Sequence, residues 1–268
     1  MKRILVPTDF SSIANNAIDY AIEIAADFGS QILLYHVYAF DRFNYDLNLP
    51  KEKQPYKREV TQKMKMTKRR FEEIAGKKGI ELHTFVEEDS FYSLFKTTVI
   101  QQRVDMVVMG SKGASGLSKY IFGSVAASAL EMTEVPLLII PPGHRFRPPE
   151  NMVLALGTQD VPARVLAPLR ALALKYNAQI TLLTVLKDSE KDAPFTSITI
   201  EGVKTNCCEI AMSHSVSDTI THYVQNENLD LLCMIRKKKG FFENFFKRSI
   251  TKVQVFSSKV PMMVLPQA

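Results

Sequence analysis

Two short segments of the chain carry the residue types and spacing that hold phosphorylated ligands. The first is Pro7-Thr8-Asp9, directly after the apolar run Ile4-Leu5-Val6. A carboxylate placed there can accept hydrogen bonds from a sugar hydroxyl or a heterocyclic N–H. The second is GSKGASGLSKYIFGSVAAS over residues 110–128, that is Gly110-x2-Gly113-x9-Gly123-Ser124. Glycines without a Cβ permit positive φ and let backbone N–H groups close on a phosphate oxygen. Gly123-Ser124 stands where a helix should begin, so unpaired amides and the positive end of the helix dipole would face the same anion. Lys112 and Lys119 add mobile positive charge, and Ser124 adds a hydroxyl donor.

The elements that must position these segments follow from periodicity. Ile4-Leu5-Val6 reads as a buried strand, and Ile13, Ala17, Tyr20, Ala21 and Ile24 mark a helix over 12–28 that stops at Gly29. Residues 32–37 form a second apolar run. A charged helix is expected over 56–78, a strand over 81–86, a helix over 91–102, a strand over 105–109, a helix from about 124 and a strand over 137–140. Five strands alternating with four helices predict a doubly wound parallel sheet. If its order is 3-2-1-4-5, the Asp9 turn and the glycine loop leave neighbouring strands where the winding reverses, which is the crevice that binds ligands in such sheets.

The pattern then recurs. After a short polar linker, HRFRPP, residues 153–156 match the first strand and a helix is expected over 163–176. A constant shift of 125 positions pairs VDMVVMG with LDLLCMI, Ser124 with Ser249 and Val135-Pro136 with Val260-Pro261 without a gap. An internal duplication accounts for this self-similarity. The expected organisation is two α/β domains, 1–143 and 150–268, each a five-stranded parallel sheet with helices on both faces. The segments 137–140 and 262–265 are apolar and would aggregate if left as bare edges.

The glycine spacing, together with the upstream PTD turn, resembles the ATP-binding signature of the universal stress protein family. The likeness covers the first half and, more weakly, the second. It implies a Rossmann-like fold similar to that of the adenine nucleotide alpha hydrolases, with ATP or AMP as ligand and Mg²⁺ able to accompany ATP. It implies that Asp9, within Pro7-Thr8-Asp9, reaches the ribose or adenine side and that Val37 lends backbone to adenine. It also implies that Gly110, Gly113, Gly123, Ser124 and Val125 hold the phosphates, with Ser111 and Lys112 beside them and Met109 among the nucleotide-binding residues, and that the two halves associate through the edge strands 137–140 and 262–265. The motif is neither a Walker loop nor the dinucleotide G-x-G-x-x-G.

Simpler roles compete with these. Asp9 and Ser11 could cap the first helix, and Ser124 could cap the helix it opens. His36 stands without a carboxylate or cysteine at useful spacing, which favours a satisfied strand histidine. The five histidines show no metal-ligand spacing and no C-x2-C occurs, so no protein-ligated metal is expected. The three cysteines read as reduced thiols.

In the second half the shift places Ile235, Lys238 and Arg248 where the first has Gly110, Gly113 and Gly123, and aligning residues 153–158 with the first strand and its turn sets Thr158 against Asp9. The second site is therefore expected to be worn. Its replacement, RKKKGFFENFFKRSITK, interleaves basic residues 236–248 with phenylalanines, a pattern open to a phosphorylated ligand, single-stranded nucleic acid or an anionic membrane surface. Packing of the phenylalanines beneath solvated lysines is preferred, so neither nucleic acid nor membrane is the expected partner.

The net charge of +6 suits an anionic ligand without deciding among them. No apolar run approaches the roughly 18 residues of a spanning helix, and a cytoplasmic location is expected. The leading functional expectation is a nucleotide-binding stress or regulatory protein, with an internal pseudo-dimer of the two halves, a possible further homodimer and a protein partner not named by the sequence. No general base, nucleophile or arginine finger is evident beside the motif, so turnover would be slow if it occurs. The alternatives are a slow ATPase or an adenylyl-transfer enzyme using the same crevice, or a binder of nucleic acid or an anionic surface through the basic loop 236–248.

Overall fold

A computed structural model describes residues 1–38, 53–112, 123–157, 161–186, 198–236 and 260–267. In the first half β1 (Arg3–Pro7) leads to α1 (Ser12–Phe28), β2 (Gln31–Tyr38), α2 (Lys53–Lys77), β3 (Leu82–Glu88), α3 (Phe91–Gln101), β4 (Met106–Gly110), α4 (Ser124–Met132) and β5 (Leu137–Ile140). The second half comprises β6 (Asn151–Leu156), α5 (Ala163–Tyr176), β7 (Gln179–Leu186), β8 (Thr205–Ala211), α6 (Val216–Asn226), β9 (Leu231–Arg236) and β10 (Met262–Pro266). Among the described residues no helix is long and apolar enough to cross a membrane.

The ten strands of the described residues form one sheet in the order β3-β2-β1-β4-β5-β10-β9-β6-β7-β8. Each half has the expected 3-2-1-4-5 order with parallel pairing. The halves meet where β5 and β10 pair antiparallel, with Met262, Met263 and Val264 opposite Ile139, Leu138 and Leu137. Both strands are apolar and buried, so each covers the other's edge.

Alternation along the strands divides the core between two faces. Ile4 and Val6 of β1 pack with α1, α2 and α5, whereas Leu5 packs with α3, α4 and α6. Both clusters contain residues of both halves, so the hydrophobic layers run unbroken across the join. On the α1 face the join is fastened by Tyr176, whose hydroxyl donates to Asp27 at 2.8 Å, and by Phe146, which packs edge-on against Tyr20 and Tyr176.

Several boundaries differ from expectation. β3 runs on to Glu88, and β4 takes in Gly110, because pairing with a neighbouring strand extends the ladder past the apolar residues that signal it. In the first half α2 connects β2 to β3. In the second, the described residues between β7 and β8, 198–204, contain no helix.

Candidate functional site

At the end of β1 the chain turns through Thr8, Asp9 and Phe10 under local hydrogen bonds. Thr8 donates its N–H to the Tyr35 carbonyl at 2.8 Å. The Thr8 hydroxyl accepts the Phe10 N–H at 3.0 Å, and Asp9 Oδ1 accepts the Ser11 N–H at 3.1 Å. Ser11 caps α1, its Oγ accepting from the Ala14 N–H at 3.1 Å. Phe10 holds a left-handed φ of 67°, uncommon for a bulky residue, and its ring lies against His36 with centroids 4.5 Å apart. The His36 Nδ1 lies 2.7 Å from the Thr8 carbonyl oxygen. A carbonyl only accepts, so Nδ1 carries the proton. Burial pulls the His36 pKa below its ordinary value, opposed by the Thr8 bond and the Asp9 charge.

The neighbouring strand β4 ends at Gly110. Beyond it, Ser111 donates its N–H to Ile140 and accepts the Gly123 N–H, both at 3.0 Å, so the two ends of the glycine loop are tied together. Residues 113–122 of that loop, including Gly113 and Lys119, lie outside the described residues. Helix α4 starts at Ser124, with Gly123 as its N-cap.

These elements enclose a cavity of about 290 Å³ lined by Pro7, Thr8 and Asp9 from the β1 turn, Tyr35, His36 and Val37 from β2, and Met109 and Gly110 from β4. Lys112, Phe91 and the α4 start at Gly123, Ser124, Val125 and Ala126 complete the wall with Ala14. Every expected site residue outside 113–122 except Ser111 thus borders one space. A larger polar groove of about 480 Å³ lies at the opposite ends of β6 and β7, away from the crevice where open α/β sheets bind ligands.

Three expectations need correction. Neither Gly110 nor Gly123 has a positive φ. Gly110 is needed for packing, since a Cβ there would stand 2.7 Å from Ile13 Cγ2 and 3.2 Å from the Ile13 carbonyl oxygen. The Gly123 amide is committed to Ser111, which leaves the following amides of α4 for an anion. Ser124 is the first residue of that helix and not its cap.

The universal stress protein family model matches residues 1–141. The chain belongs to this family. A universal stress protein of Methanocaldococcus jannaschii, MJ0531, is 28% identical over 145 residues, covering 52% of this chain and 81% of that one. In fold, this universal stress protein is similar over 99% of its length to one from Archaeoglobus fulgidus DSM 4304, of which 96% is covered, with 18% identity and a TM-score of 0.72. It is also similar to a functionally unknown protein of Pseudomonas aeruginosa PAO1, at 12% identity and a TM-score of 0.60, over 99% of this chain and 92% of that one.

The sequence did not place Tyr35, Phe91, Ala14 or Ala126 at the cavity, and it favoured His36 as a satisfied strand histidine, which its bond to the Thr8 carbonyl bears out, without placing it at the cavity wall. The Tyr35 hydroxyl is buried beside Thr98 at 3.3 Å, and Thr98 in turn donates to Glu87 at 2.9 Å. Phe91 stacks on Phe95 with centroids 4.7 Å apart. A local signal for these was lacking, because aromatic and alanine residues at such positions read equally well as core.

In the second half of this universal stress protein, Ile235 is buried at the end of β9 where the first half has Gly110. Thr158, Lys238 and Arg248 lie outside the described residues. Arg236, which opens the basic run 236–248, donates from Nη1 to the Glu131 carbonyl at 2.9 Å and from Nη2 to the Thr133 carbonyl. It is spoken for by the first half.

Proposed function

We propose that the protein binds an adenine nucleotide, ATP or AMP, in the crevice between the ends of β1 and β4, and acts as a stress-response or regulatory binding protein. The observation that carries this reading is the meeting of Asp9, Val37 and the start of α4 around one cavity at the reversal of winding. Val37, Phe91 and Met109 supply an apolar wall suited to a flat base. Asp9 supplies acceptors for ribose or adenine, while Lys112, the Ser124 hydroxyl and the first amides of α4 supply donors for phosphates. Mg²⁺ would enter with ATP. Residues 1–143 and 150–268 are taken as the units of a duplicated chain with one nucleotide site, in the first.

Nucleotide occupancy would bias the conformation presented to a protein partner. Calorimetry with ATP and AMP tests the site. Gly123 has φ −61° and ψ 155°, which alanine adopts without strain, so Gly123→Ala reports on access to the cavity. Asp9→Ala removes the carboxylate. Asp9→Ala is expected to weaken binding by about tenfold or more, the scale of a lost hydrogen bond to a charged group, and Gly123→Ala is expected to weaken it by crowding the phosphate side of the cavity with a Cβ. Equal affinities across the two variants and the wild type would reject the assignment. Mass spectrometry after incubation should find ATP largely intact; acceptor-dependent release of pyrophosphate would point to adenylyl transfer.

A further inference from the structure

Helix α4 has little of its own to hold it. Its nine residues fall short of the roughly 12–15 that an isolated helix needs. Its N-cap, Gly123, makes no side-chain cap bond, its first turn has no acidic residue and its last turn no basic one. The carbonyls at the end of a helix lack intrahelical partners and carry the negative end of its dipole.

Those carbonyls are met from the other half of the chain. Arg236, the last residue of β9, is half-buried and donates to the carbonyls of Glu131 and Thr133, the latter being the C-cap of α4. Burial works against its charge while the nearby Glu134 carboxylate supports it. The opposite end of the same helix, about 13 Å away at 1.5 Å per residue, is the cavity wall formed by Ser124, Val125 and Ala126.

By the 125-residue shift, Arg236 occupies the position that Ser111 has in the first half. Ser111 ties the glycine loop to Gly123 at the start of α4. Its counterpart reaches across the join to the end of that helix.

We propose that Arg236 is a positioning residue for the first half's nucleotide site, capping α4 from the second half and thereby ordering the amides that face the ligand. The proposal rests on the adenine-nucleotide reading. It assigns the second half a part in binding although its own phosphate-facing glycines are replaced.

The test uses the full chain as wild type, Arg236→Ala, Arg236→Lys and Arg170→Ala. Arg170 is the control, because it also donates to a carbonyl, that of Glu201 at 2.7 Å, within the second half and away from α4. Two quantities are measured: ATP affinity by calorimetry, and hydrogen exchange of the amides of residues 124–132 without nucleotide. Arg236→Ala is expected to weaken ATP binding by about three- to tenfold, the range of a charge at a helix end, and to speed exchange in α4. Arg236→Lys should recover part of both, and Arg170→Ala should change neither. Should the alanine variant fail to fold, the intermediate loss in Arg236→Lys gives the same answer.

Wild-type affinity in the Arg236 variants, or an equal loss in Arg170→Ala, overturns this proposal alone. A wild-type protein that binds no adenine nucleotide overturns the nucleotide reading and this proposal together.

Discussion

His36 reaches from β2 to donate its Nδ1 proton to the backbone carbonyl of Thr8 at 2.7 Å, and so ties the Asp9 turn to the neighbouring strand. The imidazole is packed against Phe10, faces the Asp9 charge and feels Lys63 of α2, with burial the largest influence on its pKa.

That burial predicts a pH dependence. The folded-state pKa lies below the ordinary value of 6.5, so the unfolded chain takes up a proton first as pH falls. Stability is full above 6.5 and is lost as pH drops from there through the lower folded value. His36→Asn keeps a donor near the Nδ1 position and removes the titration, so denaturation midpoints should fall less steeply below pH 6.5 in the variant. Superimposable pH profiles would sink the idea.

Gly110 is expected to tolerate no side chain. Gly110→Ala places a Cβ against both the side chain and the carbonyl of Ile13, and overpacking of this kind costs about 1–3 kcal/mol. Ile13→Ala in the same chain should relieve only part of it, because the backbone contact stays. A double-mutant cycle by urea denaturation measures the coupling, and strict additivity would argue against the contact.

Tyr176→Phe removes the hydroxyl that bonds Asp27 across the join while leaving the ring against Phe146 and Phe28. Burial raises the Tyr176 pKa, with the Asp27 bond adding to it, so the phenol stays protonated and available as a donor. A loss of about 1 kcal/mol is expected in chemical denaturation. Unchanged stability would mean that water replaces the bond at no cost.

Met263 is fully buried opposite Leu138 in the β5–β10 pairing. Met263→Ala should cost about 2–5 kcal/mol. Because both core clusters cross the join, the loss should lower one cooperative transition seen alike by circular dichroism and tyrosine fluorescence. A shift confined to a separate transition of one half would contradict this.

Much of the fold was legible in the residues. Ser12–Phe28, Leu137–Ile140 and Ala163–Tyr176 lie where periodicity and stop signals set them, because burial on one face of a helix or both faces of a strand leaves a local trace. The site was half legible. Pro7-Thr8-Asp9 and Gly123-Ser124 stand out through turn and helix-start chemistry, whereas Tyr35, His36 and Phe91 become cavity walls only when β2 and α3 are brought beside β1.

The sequence alone therefore determined the parallel α/β architecture, the two-fold recurrence of its pattern and the segments that meet at the crevice, since each is written in short-range spacing. Tertiary structure decided what individual residues do there. It turned Gly110 into a packing glycine against Ile13, used the Gly123 amide to close a loop, and took Arg236 from a basic run to cap a helix in the other half. The physical reason is one of range: a hydrogen bond or a steric contact between residues far beyond one helical turn or one strand pair, roughly a hundred positions apart for Gly110 with Ile13 and for Arg236 with Glu131, leaves no periodic mark on either segment, and exists only once the sheet has brought them together.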